Sequence, residues 1–253
     1  MLINERHNQI AALLQKEKSI SIKRLTSLLF VSEATLRRDL TVMEQKGLLQ
    51  RNYGGASIVE SAAEEASLLV REQKQIKEKR KIAMKCLDFI HEGESYFVDS
   101  SSTVTQMLYY LRNYKDLTFI TNGLNNAQIL ANSSEAKVYL PSGIVFTKTN
   151  SILGTEAVEF LKNFFCSAFF FSCGGISLNE GITEASYEQS LVKRAMMNQS
   201  KLHILLADHT KFSKIFLCRT CGFERIDYLI TDQLPETEFM ALLSKNNVKV
   251  VIA

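Results

Sequence analysis

The chain has 253 residues, 46% of them apolar and 23% charged, and a formal net charge of only +3, which allows one or two packed domains but does not by itself argue for nucleic acid. Residues 1–57 carry nine Lys/Arg against five Asp/Glu, a balance of +4, so the remainder sums to −1, and a basic end on a near-neutral body suits a module that meets phosphates. The polar start does not read as a signal peptide, and no apolar run approaches the roughly 20 residues that span a bilayer, so a cytoplasmic location is expected.

In chain order, the first predicted helix carries Ile10, Leu13 and Leu14 on one face. The second carries Ile22, Leu25, Leu28 and Leu29, with Ser21 as its cap. It ends near Leu29, and Phe30 and Val31 make a tight turn. Ser32 then caps a third helix, its hydroxyl accepting from amides of the first turn. Leu36, Leu40 and Met43 fall at i, i+4 and i+7 and pack inward, leaving Ala34, Arg37, Arg38, Thr41 and Gln45 outside. Two helices joined by a short turn, the second presenting arginines, form a helix-turn-helix.

A guanidinium bridges two acceptors, either on guanine or on phosphate, while Ala34 and Thr41 are small enough to let the helix sit close to base edges. Which arginine reads bases and which grips phosphate stays open. Asp39 would be repelled by DNA and is expected to turn inward, with Arg6 as its partner. After Gly47, residues 48–58 carry apolar positions around Tyr53, Gly54 and Gly55, the pattern of a short hairpin or wing. Arg51 on that hairpin would reach the DNA backbone or minor groove. The DNA-binding set is thus Ser32, Ala34, Thr35, Arg37, Arg38, Thr41 and Arg51.

Arg6, Ile10 and Leu14, followed by Ser32-x-x-Thr35-Leu36-Arg37-Arg38-Asp39-Leu40 and Gly54-Gly55, resemble the helix-turn-helix signature of the DeoR family of bacterial transcription regulators. The resemblance implies a sequence-specific regulator, usually a repressor.

From residue 61 to 90 the chain is charged and helical, read either as a connection followed by a new domain or as one continuous helix from residue 60. Candidate strands follow at 95–98, 118–121, 137–140, 168–171, 203–207, 228–230 and 248–252, with helices between them at 104–111, 125–131 and 187–198. That alternation predicts an α/β domain with a mainly parallel sheet and covering helices. The expected division is a winged helix-turn-helix module over residues 1–58, a linker over 59–75 and an α/β domain over 76–253.

Ligands of such sheets bind beyond the carboxyl ends of the strands. The residues placed there are Asp99, Ser100, Ser101, Ser102 and Thr103; Thr121, Asn122 and Gly123; Ser142 and Gly143; Ser172, Cys173, Gly174 and Gly175; and Asp208, His209, Thr210 and Lys211. Hydroxyls and free amides opening a helix make a phosphate cradle, and Lys211 offers a counter-charge.

These segments also resemble the DeoR family's sensor domain, which has a sugar-phosphate isomerase-like fold. The family's D-x-G-T-T loop falls on residues 99–103, its T-N on Thr121-Asn122, its D-x-x-K on Asp208 and Lys211, its glycines on Gly174, Gly175 and Gly181, and its E…K-R on Glu188, Lys193 and Arg194. The resemblance implies an effector that is a phosphorylated sugar or related metabolite, held by Asp99, Ser101, Ser102, Thr103, Asn122, Gly143, Gly174, Gly175, Glu184, Asp208 and Lys211. Two departures stand out. Ser101 and Ser102 replace Gly and Thr, and Pro141-Ser142-Gly143 replaces a tandem glycine, so the pocket would be narrower, bind a different effector or have decayed.

Five cysteines (Cys86, Cys166, Cys173, Cys218 and Cys221) form no small-domain framework. The C-x-x-C at Cys218 and Cys221 lacks a second pair. No metal and no cofactor is expected. A rival reading makes the α/β domain an isomerase or deaminase using Asp99, Glu184 and Asp208, with Glu184 as base. Fold analogy is no argument for catalysis, and His203 and His209 show no evident partner, so no enzyme is expected. A third reading keeps the DNA module and gives the α/β domain only oligomerisation. Expected partners are double-stranded operator DNA, a phosphorylated metabolite and further copies of the chain in a symmetric dimer or tetramer.

Overall fold

The computed structural model describes residues 3–45, 48–57, 67–133 and 135–253. Gly47, Ile58 and residues 59–66 of the expected linker lie outside them. The chain divides into two compact units, one of Met1–Ile76 with Thr147–Thr149, the other of Lys77–Phe146 with Asn150–Ala253.

The first unit contains α1 (Ile3–Glu17), β1 (Ser19–Ser21), α2 (Ile22–Leu29), α3 (Glu33–Gln45), β2 (Gln50–Asn52), β3 (Gly55–Ser57) and α4 (Leu68–Gln73). Its core is built from the apolar faces read in the sequence. Ile10, Leu14, Ile22, Leu25, Leu29, Leu36, Leu40 and Met43 are all buried, joined by Leu48, Leu49, Ala56 and Val70 of α4. Fully burying each leucine contributes about 1.5–3 kcal/mol. Leu28 departs from expectation: it is 45% exposed, because it sits at the edge of the stripe rather than at its centre.

The wing is larger than the expected hairpin. Ser19–Ser21 is more than a capping segment: it pairs antiparallel with Gly55–Ser57, giving a three-stranded sheet in the order β1-β3-β2. Ser21 still caps α2, its Oγ accepting from the Arg24 amide at 3.3 Å. Gly54 turns the hairpin at φ +89°, and Gly55 is required by close approach, since a Cβ there would lie 2.4 Å from the Ile20 carbonyl oxygen.

Phe30 ends α2 in the left-handed region at φ 53° and is 92% exposed. A side chain with a Cβ is strained there, so Phe30→Gly should raise the stability of the module by about 0.5–1 kcal/mol. Urea denaturation of the full chain checks this, and a loss of stability would mean that the exposed ring packs in a way that offsets its strain.

The second unit begins with α5 (Ile76–Cys86) and continues β4 (Ser95–Val98), α6 (Ser102–Leu108), β5 (Thr118–Thr121), α7 (Leu124–Ser133), β6 (Lys137–Tyr139), β7 (Ile144–Phe146), β8 (Ser151–Leu153), α8 (Thr155–Leu161), β9 (Cys166–Phe171), β10 (Gly175–Ser177), β11 (Gly181–Glu184), α9 (Tyr187–Asn198), β12 (Ser200–Leu206), β13 (Cys218–Cys221), β14 (Tyr228–Thr231), α10 (Thr237–Lys245) and β15 (Lys249–Ile252). The continuous-helix alternative fails: α4 and α5 are separated at Lys74 and Gln75, and Gln75 takes φ 52°.

All seven strands expected from the sequence lie in one parallel sheet, in the order β15-β14-β12-β9-β4-β5-β6. Side chains alternate between two cores. Phe97, Phe169, Phe171 and Leu205 face one layer; Tyr96, Val98, Ala168, Phe170 and Ile204 face the other. Burial on both faces is why residues 168–171 read as an unbroken apolar run. Two antiparallel additions were not expected: the β7–β8 hairpin and a small sheet in the order β10-β11-β13.

Candidate functional site

The outer face of α3 is built by what the opposite face must bury. Asp39, only 3% exposed, receives Arg6 Nε at 2.5 Å and Arg6 Nη2 at 3.1 Å, with His7 Nε2 at 3.2 Å. Burial pushes its carboxyl up, but the bonds and charges of Arg6 and His7 outweigh this and hold it below the ordinary range. The acid is thus turned inward, as its chemistry demanded.

Ala34, Arg37 and Arg38 stand exposed beside it. Ser32 caps the helix, its Oγ 3.3 Å from the Thr35 amide and 2.9 Å from Thr35 Oγ1. Arg37 leans on Glu33 at 3.4 Å, whereas Arg38 makes no hydrogen bond or ion pair among the described residues. Thr41 is half-buried. Its Oγ1 donates to the Arg37 carbonyl at 2.8 Å and lies 2.7 Å from Arg51 Nη1. The Arg51 amide also donates to Glu44 Oε1 at 2.8 Å, so the wing is fastened to α3. Tyr53 is fully exposed at the wing tip. No periodicity marks that ring, and only the hairpin register places it.

At the carboxyl ends of the parallel strands, the expected rim residues are largely buried and bonded to one another. Asp99 follows β4. Its Oδ1 accepts from the Ser101 amide at 3.0 Å, and its Oδ2 accepts from the Ser172 amide at 3.0 Å and faces Lys193 Nζ at 3.1 Å. Lys193 also donates to the Ser172 carbonyl at 2.6 Å and to Glu184 Oε1. Burial pushes this ammonium down, but Glu184 and Asp99 hold it well above its ordinary value. A second buried lysine, Lys79 of α5, donates to Ser102 Oγ at 2.9 Å.

Ser101 caps α6, its Oγ accepting from the Val104 amide at 3.3 Å, and Thr103 is buried in the first turn. Asn122 follows β5 and reaches Ser100 Oγ at 3.5 Å and the Ile152 carbonyl at 3.4 Å, while its Oδ1 is buried without a hydrogen-bond partner among the described residues. Asp208 accepts from the Thr210 amide at 3.0 Å. Cys173 lies within the electrostatic reach of Lys211, Glu184, Lys193 and Asp208, and burial pushes its thiol up to about 12, which makes it an inert packing group.

Several expectations need correction. The glycines have packing reasons. A Cβ at Gly175 would lie 2.4 Å from the Lys214 carbonyl oxygen, one at Gly174 would lie 3.0 Å from the Phe216 ring, and one at Gly143 (φ +145°) would lie 2.6 Å from the Leu153 carbonyl oxygen. Glu188 sits exposed in the first turn of α9, bonded to Ser186, and the acid that meets Lys193 is Glu184. His203 and His209 do have partners, the Met197 carbonyl and Asp232, each at 2.7 Å. Glu184 is paired with a buried cation rather than held as a free base. Lys79 and Lys193, absent from the expected ligand set, are the two cations at the centre of the rim. Cys218 and Cys221 fall on one strand at i and i+3, across a shift in its pairing register, and no group of three or more metal-ligating side chains occurs among the described residues. Nor is any described helix long and apolar enough to cross a membrane.

A helix-turn-helix with an outward arginine face, carried on the same chain as an α/β unit with a polar rim, defines a DNA-binding regulator with a sensor domain. The description "DeoR-like helix-turn-helix domain" matches residues 6–62, and "DeoR C terminal sensor domain" matches residues 74–233. The chain is 32% identical over 252 residues to the HTH-type transcriptional repressor GlcR of Bacillus subtilis (strain 168), covering 100% of this chain and 97% of that one. It is 30% identical over 253 residues to the HTH-type transcriptional repressor CsqR of Escherichia coli (strain K12), covering 98% and 95%. The chain belongs to the DeoR family of transcriptional regulators, and these relatives are regulators rather than enzymes. Among solved structures it is similar to ribose 5 phosphate isomerase A from Neisseria gonorrhoeae, with 14% identity and a TM-score of 0.40, over 54% of this chain and 53% of that one.

Proposed function

We propose that the protein is a repressor whose affinity for its operator is set by a phosphorylated sugar, or a related metabolite, bound at the rim of the parallel sheet. In this reading residues 1–58 hold the DNA, 59–75 connect, and 76–253 sense and oligomerise. Ser32, Ala34, Thr35, Arg37, Arg38, Thr41 and Arg51 form the DNA face, with phosphate contacts setting register and the arginines of α3 reading bases. Two modules on one operator call for a symmetric dimer or higher oligomer, with half-sites about one helical turn apart.

The observation that carries the effector reading is the buried Lys79, whose Nζ donates to Ser102 Oγ at the start of α6, whereas the charge of Lys193 is balanced by Asp99 and Glu184. A buried cation with hydroxyls and amides at a helix start favours an anionic ligand. Binding shifts the operator equilibrium only as far as the effector prefers one arrangement of the protein over another.

Thermal shift across phosphorylated sugars and their unphosphorylated counterparts tests this. A phosphorylated compound at a hundredfold excess over its Kd should stabilise the chain by about 2.7 kcal/mol, its counterpart by nothing, and Ser102→Ala should weaken the response. A flat panel would instead favour a domain that only oligomerises. One observation favours that second reading: Asp99 and Ser101 already occupy two of the amides that a phosphate would use, those of Ser101 and Val104.

A further inference from the structure

A cavity of about 500 Å³ opens in the second unit between the end of α9, β13 and the short helical turn that follows it. Three arginines from three different elements line it: Arg194 of α9, Arg219 of β13 and Arg225 of the turn. The lining also includes Asn198 and Glu224, so its formal charge is +2. We propose that this cavity is a second ligand site, specific for a small polyanion carrying at least two phosphate or carboxylate groups.

The site is separate from the rim. Asn198 ends α9 just before Ser200, the first residue of β12, and Arg225 precedes Tyr228, the first residue of β14. Both therefore lie at the amino ends of the parallel strands, whereas Asp99, Ser172 and Asp208 lie at the carboxyl ends. The two sites share one helix: α9 sends Lys193 to the rim and lines the cavity with Arg194 and Asn198.

The arginines are arranged to receive an anion. Arg225 Nη2 donates to Asn198 Oδ1 at 2.9 Å, which orients its guanidinium. Arg194 Nε donates to the Ser190 carbonyl at 3.3 Å, and its guanidinium lies 5.8 Å from the centre of the Tyr187 ring. Arg219 makes no hydrogen bond or ion pair among the described residues. Two guanidinia are thus held and a third is uncommitted. Like charges gathered around one cavity raise its free energy unless an anion neutralises them, and Glu224 offsets only one of the three. A planar guanidinium meets phosphate or carboxylate with two parallel bonds, so a ligand with two or three anionic groups engages the set where a single group would not.

The test uses the full chain and two probes, pyrophosphate and citrate, titrated calorimetrically at constant ionic strength with methyl phosphate as the control carrying a single anionic group. One probe should bind saturably with one site per chain, and the control should not. Which of the two binds tells phosphate from carboxylate chemistry. Arg219→Gln/Arg225→Gln should weaken that probe tenfold or more, and both residues are exposed, so the fold is retained. Ser102→Ala at the rim should leave probe affinity unchanged. The proposal is overturned if neither probe saturates, if the arginine variant binds as tightly as the parent, or if Ser102→Ala removes the binding instead. It is also overturned if the arginine variant changes the sedimenting mass without any probe, because the cavity would then be filled by a second copy of the chain.

Discussion

Lys193→Met should lower the unfolding free energy by about 3–5 kcal/mol at neutral pH, the cost of breaking a buried ion pair by removing one partner. Asp99, Glu184 and Lys193 are 1%, 4% and 5% exposed, and the lysine bridges both acids. Methionine fills similar space but removes the ammonium that bridges two buried carboxylates, so their charge is less well compensated or they take up protons. In the parent, the Lys193 ammonium is held above its ordinary value of 10.5. Its stabilisation is therefore complete below that pH and fades as pH rises through the folded value. In the variant the penalty has the opposite handle. Acidification protonates one of these carboxylates, so the gap between parent and variant should narrow from about pH 8 to about pH 5. Urea denaturation at the two pH values measures this, and Lys193→Met/Glu184→Gln should recover part of the loss by removing one of the two charges. A loss below about 1 kcal/mol at pH 8, the size of an exposed pair, would show that water reaches the cluster and screens it.

The same cluster shows where sequence reading succeeds and where it stops. The inner parallel strands were legible because they are buried on both faces and read as short apolar runs, with Ala168 and Phe169 to Phe171 the plainest case, whereas the edge strands β6 and β15 are largely exposed and show only short apolar stretches. The three helices of the DNA module were legible because each has one apolar stripe and two carry hydroxyl caps. The antiparallel strands were not. Residues 144–146 are exposed, and residues 218–221 put Arg219 between two cysteines and a threonine, so neither shows a period.

Lys193 was named only through the family resemblance, because its periodicity does not mark it. The face that α9 buries includes Gln189, Ser190 and Lys193 among Val192, Ala195 and Met196, so polar residues occupy positions where a helix normally shows its core. Lys79 lies in a run of charges that reads as a solvated face until α5 turns it toward Ser102. Asp99, Ser101, Asn122 and Asp208, by contrast, follow strands directly, and the topology of a parallel sheet alone brings them to one edge.

Arg37→Ala/Arg38→Ala should weaken operator binding by a hundredfold or more while leaving the fold intact. An arginine that forks onto a guanine edge is worth about 1–3 kcal/mol, and one that neutralises a phosphate contributes to every sequence alike. Both side chains are exposed, so the unfolding free energy should change by less than about 0.5 kcal/mol for each. The single variants divide the two roles. Loss of the base reader narrows the ratio of operator to non-operator affinity and leaves the salt slope unchanged. Loss of the phosphate grip weakens both complexes equally and reduces the slope by roughly 1.

The contacts in the free protein set the order of these effects. Arg38 is uncommitted among the described residues, whereas Arg37 must leave Glu33, at 3.4 Å, before it reaches DNA. That exposed pair is worth only about 0.3–0.5 kcal/mol, too little to mask a base contact, so Glu33→Gln should tighten binding slightly through Arg37 and not at all in an Arg37→Ala background. Arg51 is different again, because its bond to Thr41 and its amide bond to Glu44 fasten the wing to α3. Its removal should disturb the angle of the wing as well as a DNA contact. Footprinting on the upstream DNA of its own gene, repeated at two salt concentrations, resolves all of these. If the double variant kept the parent's affinity and salt slope, the face of α3 would not be the DNA-reading surface, and the wing would have to take that role.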